Sequence, residues 1–283
     1  MPDPTLEVLR RQAVQALKSA NIEGADVDAR ILLMHASGHD RSGLIACARD
    51  VVSDQVCEVF EAFIARRLKH EPVAYILGTQ EFWSLIFKVN RHVLIPRPET
   101  EGVVGRGLEK IWGVETPRIL DVGTGSGAIL ISLLNEREDA SGIGVDISES
   151  ALDVAKENAI NIGVGDRCSF KKSSFLENID EKFDIIVSNP PYITDEAMLS
   201  LAENVSKFEP HLALHGGVDG LDPYREILSG APSVLNDNAF LVFEVGFDQG
   251  GLVRNLMAQA GFQDVSIEKD YAGHDRIVSG QIK

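Results

Sequence analysis

The chain has 283 residues, 44% hydrophobic and 25% charged, with 25 glycines and 11 prolines; this globular usage excludes collagenous, low-complexity and disordered classes, and the length suits one full domain with a smaller one. The formal charge is −16, and it is uneven: residues 1–95 carry eleven Lys and Arg against twelve Asp and Glu, residues 96–283 sixteen against thirty-one. Phosphate backbones are bound mainly by Lys and Arg, so so acidic a body disfavours tight nucleic-acid binding.

No run approaches the roughly 18 apolar residues of a membrane span. The opening Met1-Pro2-Asp3-Pro4 lacks the basic and apolar regions of a signal peptide, so a cytoplasmic protein with no membrane contact is expected. Cys47, Cys57 and Cys168 form no C-x-x-C pair and are odd in number, which predicts reduced, mostly buried thiols and neither a disulfide framework nor a structural zinc site.

In chain order, Leu6, Leu9, Ala13 and Leu17 recur at helical spacing. Val27, Ile31 and Met34 mark a second helix ended by Ser37-Gly38, and Val56, Phe60, Phe63 and Ile64 a third behind a Ser53 cap. Residues 1–72 therefore read as a small helical domain. The apolar run Val73 to Leu77, broken by Gly78, and the stretch Glu81 to Val89 read as a two-stranded ribbon, with residues 73–95 a β-hairpin linker. Ile95-Pro96-Arg97-Pro98 cannot be helical, so the next helix starts near Glu99. Beyond it, strands (118–122, 143–145, 168–170, 183–187, 240–243) alternate with helices (128–135, 149–160, 222–235), and a helix near 250–260 precedes strands at 265–267 and 276–278 that suit an antiparallel edge. Residues 96–283 are expected to form an α/β domain, a mostly parallel sheet covered by helices on both faces.

Strand 118–122 runs through Gly123-Thr124-Gly125-Ser126-Gly127 straight into a helix. Glycines let the backbone turn sharply and approach a ligand, and the helix N-terminus offers free N–H groups. A nucleotide-like ligand fits, although Gly123, Gly125 and Ala128 also satisfy the dinucleotide fingerprint. Asp146 ends the next strand, where a carboxylate can accept from both hydroxyls of an adenosine ribose or can cap the helix beginning near Ser148. Ser188-Asn189-Pro190-Pro191-Tyr192 follows the apolar strand Ile185 to Val187. Its prolines remove two N–H donors and fix the backbone, so the carbonyls of Asn189 and Pro190, with the Asn189 side-chain oxygen, form acceptors suited to an NH₂ group. Tyr192 adds an aromatic face for a flat substituent.

The set Asp121-x-Gly123-x-Gly125-x-Gly127, Asp146 and Asn189-Pro190-Pro191-Tyr192 resembles S-adenosylmethionine methyltransferases acting on planar nitrogen. Within them, Glu71-Pro72-x-x-Tyr75-Ile76-Leu77-Gly78, Glu81-Phe82-Trp83, Ile95-Pro96-Arg97-Pro98-Glu99-Thr100-Glu101, Glu209-Pro210 and Asp275-Arg276-Ile277-Val278 resemble the peptide chain release factor glutamine methyltransferases over nearly the whole chain. The resemblance implies a five-helix N-terminal domain that docks the substrate, a β-hairpin linker and a Rossmann-like methyltransferase domain. The implied activity is N5-methylation of the glutamine in the Gly-Gly-Gln motif of class 1 release factors, by a cytoplasmic monomer that needs no direct nucleic-acid contact.

Residue by residue, the resemblance gives S-adenosylmethionine to Gly123, Thr124, Gly125, Ser126, Gly127, Asp146, Phe175 and Asn189, with Phe175 against the adenine. It gives the substrate amide to Asn189, Pro190, Pro191 and Tyr192, of which Asn189, Pro190 and Tyr192 are catalytic, and it assigns no metal. Ser174 stands where the family often has an acid; its hydroxyl can still accept from the adenine amine, without the charge-assisted component. Rival expectations are methylation of a ribosomal-protein glutamine, methylation of a nucleic-acid base amine presented by flipping, a non-enzymatic adenosine-binding module, and an NAD dehydrogenase, which leaves Asn-Pro-Pro-Tyr unexplained.

Overall fold

A computed structural model describes residues 4–283; the reading of Met1, Pro2 and Asp3 lies outside the described residues. The chain divides into two compact units, one of residues 1–78 with 203–208, the other of 79–202 with 209–283. No helix among the described residues is long and apolar enough to cross a membrane. The three cysteines are free and half-buried rather than mostly buried.

In the first unit, α1 (Leu6–Ser19), α2 (Ala25–Ser37), α3 (Arg41–Ala46), α4 (Asp54–Arg67) and α5 (Val73–Leu77) give the five helices. Thr5, Asp40 and Ser53 cap α1, α3 and α4 by accepting main-chain N–H groups, and Gly38 ends α2 in the left-handed region. The expected apolar stripes converge: Leu6, Leu9, Ala13 and Leu17 meet Ala29, Leu32, Leu33, Phe60 and Ile76 in one core.

The expected strand at Val73–Leu77 is instead the helix α5. A short apolar run is ambiguous by periodicity, and here its surroundings decide. Pro72 stands at the N-cap with its carbonyl accepting from Tyr75 and Ile76, and Gly78 stops the helix at φ +75°. The Arg66 fork binds Glu71 and takes the carbonyls of Tyr75 and Ile76, each at 3.0 Å, at the helix's open end.

The ribbon is β1 (Thr79–Phe82) with β2 (Leu85–Lys88), joined by a tight turn in which Trp83 and Ser84 both have positive φ. Its Phe82 and Phe87 are buried in one core with Val103 and Val104 of α6 (Glu101–Lys110) and Leu133 of α7 (Ala128–Glu136). Lys88 exchanges main-chain hydrogen bonds with the Asn158 side chain. The hairpin is thus an integral layer of the second unit, and the division falls at Gly78, not at the expected 72 and 95.

The rest of the second unit alternates as expected: β3 (Arg118–Val122), α7, β4 (Ser141–Asp146), α8 (Glu149–Ile162), β5 (Cys168–Lys172) and β6 (Phe183–Ser188). The short helices α9 (Asp195–Met198) and, within the first unit, α10 (Glu203–Ser206) come next, then α11 (Asp222–Val234), β7 (Leu235–Glu244), α12 (Gly250–Gln259), β8 (Gln263–Lys269) and β9 (Asp275–Gln281). The sheet order is β5-β4-β3-β6-β7-β9-β8, parallel from β5 to β7 with β9 and β8 an antiparallel edge.

Alternate residues go to opposite faces. Leu120, Ile186, Leu241 and Phe243 join one core, and Ile119, Ile185, Val187 and Val242 the other. The chain leaves β3 toward β4 on one side and later returns as β6 on the other. The carboxyl ends of these three strands therefore flank a topological switch point, where open α/β sheets form their ligand crevice.

Candidate active site

The turn after β3 is built by glycines with two different duties. Gly123 and Gly125 have φ of +74° and +54°, and a Cβ on either would meet nothing within 4 Å, so they form an open cradle. At Gly127, with φ +83°, a Cβ would lie 2.6 Å from Ile131 Cδ1, so that glycine lets α7 settle on its own first turn. The buried Asp121 carboxylate holds the turn from behind, its Oδ2 accepting from Thr124 Oγ1 at 2.6 Å and from the Leu130 N–H. Burial pushes that carboxyl up to about 7, and its Oδ1 has no partner. Of the five turn residues, Gly123 and Gly125 line the cavity. Thr124 and Ser126 are buried behind it, the latter with its carbonyl taken by Asn158 Nδ2.

Asp146 lines the same cavity from the end of β4. Its Oδ2 accepts from Gly125 N at 3.0 Å and its Oδ1 from Ser148 N at 2.9 Å. The N-cap of α8 is Ser148, whose hydroxyl accepts from Ala151, so Asp146 is not the cap. Burial raises the Asp146 pKa against the opposing pull of the Ser148, Gly125 and Ile147 amides; a carboxylate so desolvated gains from further donors, and it keeps lone pairs for them. Phe175 stands beside it with φ +49°, its ring against the core, on a loop held by Ser173 Oγ at the carbonyls of Phe175 and Glu177. Ser174 lines the cavity as well. An open glycine cradle, a hydroxyl-seeking carboxylate and an aromatic wall fit the methionine end, ribose and adenine of S-adenosylmethionine.

The third strand end carries Asn189. Ser188 Oγ donates to the Val122 carbonyl at 2.6 Å and ties the tips of β6 and β3 together. Asn189 then lines the cavity with its Nδ2 donating to Thr100 Oγ1 at 3.1 Å. Pro191 lines the cavity and Pro190 is buried. The Tyr192 ring packs against the core instead of lining the cavity, and burial pushes its hydroxyl up to about 12. The expected aromatic face for the substrate is therefore turned inward, where it braces the loop. Gln249 Nε2 grips the Tyr192 carbonyl at 3.0 Å, and Gly220 approaches the same carbonyl so closely that a Cβ would lie 2.4 Å from it.

Sequence reasoning gave no role to several residues that shape the site. Glu209, its side chain fully buried, accepts from Ile95 N at 3.3 Å and Arg97 Nη2 at 2.5 Å. It binds the segment carrying His92 and Val93 to the one carrying Pro210 and Leu212, and both segments line the cavity. The motifs at 95–101 and 209–210 were visible, but their complementarity joins positions 112 residues apart. Thr100 and Gln249 left no signal of their own.

Residues 8–78 match the family model of the PrmC N-terminal domain and residues 115–244 that of a methyltransferase domain. A release factor glutamine methyltransferase of Bradyrhizobium diazoefficiens is 42% identical over 281 residues, covering 98% of this chain and 95% of that protein. Its counterpart in Cereibacter sphaeroides is 42% identical over 272 residues, 96% of each chain. The crystal structure of a methyltransferase from Pyrococcus furiosus, 16% identical, superposes with a TM-score of 0.54 over 77% of this chain and 96% of its own, which shows the shared fold. With near-complete coverage at this identity, the chain belongs to the release factor glutamine methyltransferase family.

Proposed function

We propose that the chain transfers a methyl group from S-adenosylmethionine to the side-chain amide nitrogen of the glutamine in the Gly-Gly-Gln motif of class 1 release factors. The carrying observation is that Asn189, an amide acceptor, lines the same cavity as Gly123, Gly125 and Asp146. When bound, S-adenosylmethionine supplies a methyl group on a positively charged sulfur. Asp146 holds the ribose hydroxyls, Gly123 and Gly125 admit the methionine end, and Phe175 flanks the adenine, with Ser174 offering its hydroxyl to the adenine amine.

An amide nitrogen is a poor nucleophile because its lone pair is shared with the carbonyl. Asn189 Oδ1 and the Pro190 carbonyl accept its two hydrogens, aim the nitrogen at the methyl group and stabilise positive charge as it develops. Orientation of this kind can supply up to about 7–11 kcal/mol of a barrier, so the assignment needs no strong base. Pro191 closes the wall beside the amide, and Tyr192 keeps the loop in place from the core side.

The first unit docks the release factor. Arg30, Arg41 and Arg49 rim a concavity floored by Leu6, Leu33 and Leu44, and none of the three pairs with an acid among the described residues. The enzyme acts as a cytoplasmic monomer on protein, and the −16 charge of the chain supports a substrate other than nucleic acid. Mass spectrometry of purified release factors incubated with the protein and S-adenosylmethionine tests the reading. One added methyl on the Gly-Gly-Gln glutamine is expected; an unmodified glutamine there, or methylation confined to a ribosomal protein, overturns it.

A further inference from the structure

S-adenosylmethionine carries one anionic group, the carboxylate of its methionine end, and a carboxylate drawn out of water needs donors in exchange. The glycine turn that receives that end has few to give. Of its residues that line the cavity, Gly123 spends its N–H on the Val145 carbonyl at 2.9 Å and Gly125 on Asp146 Oδ2 at 3.0 Å. Behind them, Thr124 donates to the same Val145 carbonyl and Gly127 to the Thr124 carbonyl. The field is also wrong for an anion, since Asp146 lines the cavity and the chain as a whole carries −16. A cation must come from outside the turn. Of the described residues that line the cavity, Arg91 alone is formally positive, and His92 beside it adds an imidazole N–H donor.

We infer that Arg91 and His92 bind the carboxylate of S-adenosylmethionine, so that the anionic end of the cofactor is recognised by the segment after β2 instead of by the glycine turn. This rests on the proposed seat of the methionine end at Gly123 and Gly125. The main chain puts the pair beside that turn. Asn158 of α8 joins the two segments: its Oδ1 accepts from Lys88 N at 2.7 Å, and its Nδ2 donates to the carbonyls of Lys88 and Ser126 at 3.0 and 2.9 Å. Arg91 follows three residues after Lys88. Asn90 folds the chain there into a tight turn, its Oδ1 accepting from His92 N at 2.9 Å and its carbonyl from Val93 N at 3.2 Å. Val93 and Ile95 are buried just beyond, with Ile95 N held by Glu209, while Arg91 and His92 stay exposed at the cavity. A guanidinium offers five N–H donors in a planar fork, enough to pair with both oxygens of a carboxylate and still keep another partner. The cavity's other side-chain hydroxyls lie elsewhere: Ser148 is two residues past Asp146, and Ser173 and Ser174 precede Phe175, on the ribose and adenine side.

Calorimetry on the full-length protein with two ligands tests this: S-adenosylmethionine, and its decarboxylated analogue, which keeps the adenosine, the sulfonium and the amine and lacks only the carboxylate. The wild type should bind the analogue at least about tenfold more weakly. Replacing both residues, Arg91→Gln with His92→Gln, should raise the Kd for S-adenosylmethionine about 10- to 100-fold while that for the analogue stays within about twofold. A merely structural role would move both ligands alike, and an unchanged melting temperature confirms that the double variant is folded. The inference is overturned by a wild type that binds the two ligands equally, by a double variant that binds S-adenosylmethionine as the wild type does, or by one that loses both ligands in the same proportion. An Asp146→Ala protein with wild-type affinity for S-adenosylmethionine would count against the proposed seat of the cofactor instead, so the two readings fail separately.

Discussion

The two walls of the cavity are held in different ways. Gly123, Gly125 and Asp146 come from consecutive strand–turn–helix connections, and the Asp146 carboxylate is fixed by two main-chain N–H groups, those of Gly125 and Ser148. Asn189 is fixed by one side chain, that of Thr100, 89 residues away. A wall made by the backbone survives most changes of neighbouring side chains, because every residue but proline brings an N–H. A wall held by one side chain fails when that link is cut.

The contrast breaks most visibly at Asn189. Asn189→Ala should lose about 100- to 1,000-fold in kcat while retaining much of its affinity for S-adenosylmethionine; near-normal methyl transfer by a folded variant would remove the orienting role. Gly127→Ala probes the opposite wall through the backbone alone. With φ at +83° and Ile131 Cδ1 at 2.6 Å from the new Cβ, it should cost about 2–4 kcal/mol of stability in urea unfolding, and an unchanged midpoint would show that the turn has slack. Asp146→Ala should weaken S-adenosylmethionine binding at least about tenfold, from hydrogen bonds to a charged group worth about 1.5–3 kcal/mol each. Calorimetry finding equal affinity would detach the carboxylate from the ribose.

The smallest effect is one of pH. Burial pushes the Glu244 carboxyl up to about 7 from its ordinary 4.5, so between these values the native state holds a proton that the unfolded chain has released. Stability from this group is therefore fully present below about 4.5 and is lost as pH rises through about 7. Glu244→Met lacks that loss, so its melting temperature should gain on the wild type from pH 5 to pH 8. A constant difference across that range would mean that Glu244 stays in one protonation state.

Much of the fold could be read directly. Five strands of the sheet and the antiparallel edge stood out because apolar runs and turn signals are local, and the glycine turn, Asp146 and Asn189 are each marked by residues within a few positions. The misreadings share a cause. Val73–Leu77 became a helix because Arg66 and Pro72 satisfy its ends. The Tyr192 ring turned inward because the core offered it a place. The hairpin joined the second unit because Phe82 and Phe87 found partners on α6 and α7.

By itself, then, the sequence determined what is set within one element or one turn: the β/α alternation, the left-handed glycines, and the proline-stiffened loop that follows β6. Which side chain holds the Asn189 amide, which side of Tyr192 meets water, and where the first unit ends were decided only by tertiary structure. Each depends on a partner far along the chain, and a hydrogen bond or a buried ring gains its energy from what lies beside it in space, whatever separates the two in sequence.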